Sequence, residues 1–174
     1  MSKKAVFILA PEKFRDEEYS EPKLILESAG IETFTASSRM GIAHGKLGLK
    51  AKIDLFLPDL KPQQFDAVIF VGGPGCYDYS EDPVAWRIAR ESATPGKVLA
   101  SICSAGGILA NAGVLTGRNA TSFPADGNMI NKNGGTYTAS PVEIDKNGSY
   151  TVITANGPEN ATAFGEAIAK ELQG

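Results

Sequence analysis

Cysteine is scarce in this chain: 174 residues contain two, Cys76 and Cys103. Two are too few for a disulfide scaffold, and they lack the CxxC spacing of a zinc site, so no metal is expected. Their value, if any, is reactivity. Histidine is scarcer still, with His44 alone. That leaves little for the acid and base steps at neutral pH that amide hydrolysis requires. No apolar run approaches the roughly 18 residues needed to cross a bilayer, so no membrane partner is expected. The formal charge of −3 is small and Lys and Arg are spread thinly, which argues against nucleic acid. Met1-Ser2-Lys3-Lys4 has the charge of a signal peptide, but the apolar run Ala5–Ala10 is too short and ends at Pro11-Glu12. It reads as a buried strand in a cytoplasmic protein. The sequons at Asn119, Asn147 and Asn160 then have no significance.

Hydrophobic residues make up 43% of the chain and charged residues 21%, which suits one compact domain over residues 1–174. Short β-rich apolar runs alternate with helical patterns. This predicts an α/β fold with a mainly parallel sheet and helices on both faces. Val6–Leu9 opens the series, a helix over about Arg15–Ala29 stops at Gly30, and Ile31–Ala36 is the next strand. From Ser37 to Pro62 the pattern weakens, and the alternation Leu47, Leu49, Ala51, Ile53 suggests a small hairpin or irregular strands.

Phe65–Val71 is a buried strand that stops at Gly72-Gly73-Pro74-Gly75. Asp82-Pro83 opens a helix containing Val84, Trp86, Ile88 and Ala89. Val98–Ile102 is a further strand, followed by a short helix over Ala105–Ala112 and another near Ala125–Asn131. A hairpin of Val142–Asp145 with Tyr150–Thr154 turns at Asn147-Gly148, and a helix over Glu159–Leu172 ends the chain.

In such sheets the ligand crevice lies at the carboxyl ends of the strands, where both Gly72-Gly73 and Cys103 fall. A cysteine opening a helix meets unpaired N–H groups and the positive end of the dipole, which can lower its pKa from about 8.5 to between about 3.5 and 7.5. The same N–H groups can hold an oxyanion. The small residues Ser101, Ser104, Ala105, Gly106 and Gly107 around Cys103 suit a sharp turn. The plainer alternative is that Cys103 is a small buried hydrophobe.

Taken together, Val6–Ala10, Glu18 with Pro22, Ala29-Gly30, Phe65–Gly73, Ala100-Ser101-Ile102-Cys103, Asn133-Gly134-Gly135 and Gly157-Pro158 resemble the ThiJ/PfpI family of the class I glutamine amidotransferase-like superfamily. The resemblance covers nearly the whole chain. It implies a flavodoxin-like three-layer sandwich, no cofactor, and a homo-oligomer, expected as a dimer. It also implies Cys103 as nucleophile, Glu18 as the acid bonded to its sulfur, and Gly73 and Ser104 as oxyanion-hole donors. The family turn usually carries glycine two residues after the cysteine; Ala105 stands there, with Gly106 behind it.

Asp16, Glu17 and Glu18 could all be helix-start acids, and that reading is kept for the first two. Pro22 removes the N–H that would bond the carbonyl of residue 18, so the helix is expected to be kinked or loosened where Glu18 projects. Beside a thiolate, Glu18 has to stay protonated, and the two groups then titrate as a pair.

Family members with peptidase-like triads carry histidine directly after the cysteine, where this chain has Ser104. The nearby histidine of the deglycase branch matches Phe123. His44 reads as an exposed loop side chain, with an approach to the crevice as the alternative. Amide hydrolysis by a cysteine peptidase or amidotransferase is therefore disfavoured, and thiol addition to a small electrophile such as a reactive carbonyl suits the Cys/Glu pair better. The expected activity is glyoxalase-like, deglycase-like or hydratase-like. The alternative is a redox-sensing or stress-protective protein in which Cys103 is oxidised. Gly72 and Cys76 are placed near the crevice with Phe123 and His44, Cys76 mainly as packing. A flavin binder shares the fold, but Pro11-Glu12-Lys13-Phe14 lacks the hydroxyl and glycine cluster that cradles a phosphate.

Overall fold

The computed structural model describes all 174 residues. In chain order the strands and helices are β1 (Lys4–Leu9), β2 (Glu12–Phe14), α1 (Asp16–Ser28), β3 (Glu32–Ser37), β4 (Gly41–Gly45), β5 (Lys50–Ile53) and β6 (Leu55–Phe56). They continue with β7 (Ala67–Phe70), α2 (Pro83–Ser92), β8 (Val98–Ile102), α3 (Gly106–Asn111), β9 (Asn119–Ala120) and α4 (Gly127–Lys132). The last are β10 (Thr136–Tyr137), β11 (Val142–Asp145), β12 (Thr151–Ala155) and α5 (Ala161–Gln173). The main sheet has seven strands in the order β11-β12-β8-β7-β1-β3-β6. All neighbours are parallel except β11 and β12, as the alternating pattern predicts.

Successive side chains on a strand point to opposite faces, so β1 feeds two cores at once. Val6 and Ile8 join Val68, Phe70 and Leu99 beneath Ile88 of α2, Leu109 of α3 and Ile130 of α4. Phe7 and Leu9 join Ile69, Ala100 and Ile102 beneath Leu26 of α1 and Phe164 of α5. Each fully buried side chain of this size contributes about 1.5–3 kcal/mol relative to exposure. Burial on both faces is why β1, β7 and β8 read as unbroken apolar runs.

The weakly patterned segment after β3 forms a second, three-stranded sheet. There β4 and β5 pair as an antiparallel hairpin and β2 adds alongside β4. Of the four alternating residues, Ala51 and Ile53 face the core, whereas Leu47 is 61% exposed at the hairpin tip. The alternation was a strand signal only from residue 50 onward, because the turn occupies Lys46–Leu49.

The sheet end at β11 is fixed by a buried ion pair. Arg118, 5% exposed, donates from Nη1 to Asp145 Oδ1 at 3.0 Å and to the Tyr150 carbonyl at 3.1 Å. Asp145 also accepts the Asn119 and Asn147 N–H groups at 2.7 and 2.8 Å. Removing one partner strands the other charge, so Asp145→Ala is expected to destabilise the fold by about 3–5 kcal/mol in urea unfolding.

Candidate active site

Three strand ends and one helix build the site. β8 ends at Ile102, and the chain turns sharply through a 3-10 turn at Cys103–Ala105 into α3. Cys103 takes φ +60°, a left-handed conformation that costs a non-glycine residue about 1–3 kcal/mol. Its carbonyl is held by the Phe123 N–H at 3.0 Å. Ala105 is right-handed (φ −65°, ψ −17°), so the residue that replaces the family's glycine sits there without strain. Gly106 is needed for a different reason: a Cβ there would lie 2.7 Å from the Ser122 Cβ.

The loop after β7 closes on the segment before α1. Gly73 has φ +109°, and a Cβ on it would sit 2.4 Å from the Arg15 nitrogen. The Arg15 N–H in turn donates to the Gly72 carbonyl at 2.9 Å. Only glycine permits this approach.

Glu18 lies in the first turns of α1, fully buried. The helix runs on through Pro22 to Ser28. A Cβ on Gly165 of α5 would lie 2.8 Å from Pro22 Cα, so close packing of the two helices holds α1 in place. Gly72 leaves room for the acid beside the thiol: a Cβ there would meet Glu18 Oε1 at 2.7 Å and Cys103 Cβ at 2.9 Å.

Neither oxygen of Glu18 has a hydrogen-bond partner of standard geometry. Burial pushes its carboxyl up to about 8, and the nearby Cys103 thiol offsets only part of that push. The acid therefore tends to hold its proton at neutral pH. Cys103 does not follow the expectation of a lowered pKa. Burial and then the Glu18 charge push the thiol up, with the Ser104 N–H opposing them. One short 3-10 turn leading into a six-residue helix does not outweigh the removal of the sulfur from water.

Cys103 is half-buried and lines a cavity of about 400 Å³. Of the residues expected around the crevice, Gly73, Ser104 and Phe123 also form its walls. Gly72, Cys76 and His44 do not. Gly72 lies behind the thiol. Cys76 is fully buried, with its sulfur 3.0 Å from Ser104 Oγ, and burial pushes its pKa up to about 12. His44 lies on strand β4 rather than in a loop; its exposed ring places Nδ1 3.2 Å from Glu12 Oε1. The Gly73 N–H, expected as an oxyanion donor, donates to Ser104 Oγ at 3.1 Å.

Five wall residues were missed in the sequence: Arg15, Lys46, Pro74, Pro158 and Glu159. They come from four separate segments, so no local pattern marks them. Asp16 opens α1 as a helix-start acid, as expected, and has a further role. It is 8% exposed, and its carboxylate accepts the Leu47 and Leu49 N–H groups at 2.9 and 2.8 Å. Asp16→Ala leaves both donors without that acceptor and is expected to cost about 1–3 kcal/mol. Faster amide exchange at Leu47 and Leu49 than elsewhere in the chain would show that the loss is local.

The DJ-1/PfpI family model matches residues 3–171. The chain belongs to the DJ-1/PfpI family. A deglycase of Pyrococcus horikoshii is 37% identical over 143 residues, which cover 82% of this chain and 86% of that protein. A glutathione-independent glyoxalase of Caenorhabditis elegans is 28% identical over 172 residues, covering 99% and 90%. The crystal structure of a ThiJ/PfpI domain protein from Brachyspira murdochii superimposes with a TM-score of 0.93 at 34% identity, covering 99% of this chain and 97% of that one. The DJ-1/PfpI fold is thus the flavodoxin-like sandwich that the sequence implied.

Proposed function

We propose that this DJ-1/PfpI protein is a cofactor-free enzyme that converts small reactive carbonyls through Cys103, of the glyoxalase or deglycase kind. The observation that carries the reading is the strained turn at Cys103, φ +60°, which opens the thiol onto a 400 Å³ cavity with a buried acid behind it. Backbone strain of this kind is retained where it positions a reacting group. The names of the Pyrococcus and Caenorhabditis relatives support the substrate class.

With methylglyoxal the steps balance without an added redox partner. The Cys103 sulfur bonds the aldehyde carbon as its thiol proton is released to solvent and the Glu18 carboxyl gives its own proton to the carbonyl oxygen, leaving a hemithioacetal and the Glu18 carboxylate. The Glu18 carboxylate takes the proton from that carbon and returns it to the neighbouring carbon, while the hydroxyl proton passes to the neighbouring oxygen, so the hemithioacetal becomes a thioester. Water then cleaves the thioester, releasing lactate and restoring the thiol. Because the Gly73 N–H is engaged by Ser104 Oγ, Ser104 rotates to free it, or the Ser104 N–H alone faces the oxyanion.

The test is lactate formation from methylglyoxal by reduced protein without added glutathione. Many turnovers per chain are expected. Stoichiometric consumption that stops after one equivalent would overturn the reading.

A further inference from the structure

The wall of the cavity beside Cys103 carries two cations, Arg15 and Lys46, in a chain whose net charge is −3. Both stand on fixed backbone. The Arg15 N–H is bonded to the Gly72 carbonyl, and Lys46 donates its N–H to the Phe14 carbonyl at 2.8 Å. The hairpin tip that bears Lys46 is closed further by Asp16 on Leu47 and Leu49 and by the Gly45 N–H to the Leu49 carbonyl at 2.8 Å. Glu17 holds the Arg15 guanidinium through Nε at 2.7 Å and Nη2 at 3.3 Å. An arginine has five N–H donors, so three stay uncommitted. Lys46 forms no ion pair with any carboxylate of the chain, and Arg15 pairs with Glu17 alone. Glu159 is the one carboxylate on the cavity wall, and with Glu17 it balances the formal charge of the two cations, so recognition rests on the uncommitted Arg15 N–H donors and the unpaired Lys46 ammonium.

We infer that Arg15 and Lys46 form an anion-recognition site, so that the carbonyl compound attacked by Cys103 carries a carboxylate or phosphate group. The catalytic consequence rests on the function proposed above; the binding site itself does not. Pre-positioned cations in a half-enclosed cavity attract an anion more strongly than the same charges on open surface, because field lines concentrate in the cleft. An uncommitted guanidinium edge suits a planar carboxylate or a phosphate, and the lysine adds a point charge.

Iodoacetate and iodoacetamide test this without turnover, since both alkylate a thiol and differ mainly in one negative charge. The ratio of their rates at Cys103, read by peptide mass spectrometry, cancels changes in thiol acidity. The ratio is expected to fall by about fivefold to tenfold in the Arg15→Gln/Lys46→Gln double variant and to shrink with added salt in the wild type. Glu159→Gln should raise it. Lys46→Glu gives a second surface variant in which the fall should be larger than for Lys46→Gln. Acetate and inorganic phosphate, at matched ionic strength, are then compared as protectors of Cys103 against iodoacetamide. Protection lost in the double variant identifies which anion the site prefers. An unchanged rate ratio overturns the inference whatever the protection shows. If methylglyoxal is turned over and the ratio is unchanged, the anion site alone falls; if the ratio shifts and no carbonyl is turned over, the proposed enzyme function alone falls.

Discussion

Cys103→Ala is expected to lower kcat/KM for methylglyoxal by at least about 10³-fold, because the sulfur forms the covalent bond on which every later step depends. The loss should fall on kcat, since the cavity walls at Arg15, Tyr77 and Phe123 are untouched. Alanine keeps the Cβ at the strained turn, so the fold is retained and a thermal midpoint within a few degrees of the wild type is the control. Cys76→Ala, by contrast, should leave kcat within about threefold: that thiol is outside the cavity and only accompanies Ser104. Lactate release assays on the two variants side by side check the pair. Full activity in Cys103→Ala would mean that the strained turn serves something other than nucleophilic attack.

Glu18→Gln is expected to lower kcat by about 10²-fold, the usual worth of a positioned acid or base. The same substitution should change stability in a direction set by linkage. The folded protein holds the Glu18 proton to about pH 8, against an ordinary value of 4.5. A raised carboxyl favours folding fully below its unfolded pKa, and that contribution is lost as pH climbs from about 4.5 to about 8. Glutamine does not titrate. The thermal midpoint of Glu18→Gln relative to wild type should therefore rise between pH 5 and pH 9, by several degrees for a chain of this length. A constant difference across that range would show that Glu18 is solvated in the folded state. The paired loss of activity and gain of stability at high pH would mark Glu18 as a group held in place at a cost to the fold.

Most of the fold could be read along the chain because its strands are buried on both faces. Val6–Leu9, Phe65–Val71 and Val98–Ile102 stand out as apolar runs bounded by glycine, proline or charge, and the structure places strands within or across each. The hairpin at β4 and β5 was weaker because one face is open to solvent and its tip, Lys46–Leu49, mimics the alternation of a strand. At the site, the positions of Cys103 and of Gly72-Gly73 followed from their place at strand ends. The walls did not. Arg15, Lys46, Pro74 and Glu159 meet only through the packing of distant segments, and nothing local separates Lys46 from any other exposed lysine. Asp16 showed only its helix-start role because dipole and loop contacts call for the same residue type. The thiol's acidity was misjudged for a physical reason: sequence shows the helix that would favour an anion, and not the depth of burial that opposes it.

The pairing of Cys103 with Glu18 is tested most directly by the pH dependence of Cys103 alkylation with iodoacetamide, in wild type and in Glu18→Gln. When the pair loses its first proton, near pH 8, the remaining proton can sit on the carboxyl and leave sulfur as the anion. The wild-type rate should therefore rise through an inflection near pH 8, and Glu18→Gln should lack that inflection, its rate following a single titration of the lone thiol. Superimposable profiles for the two proteins would contradict a shared proton and leave Glu18 no part in activating the sulfur.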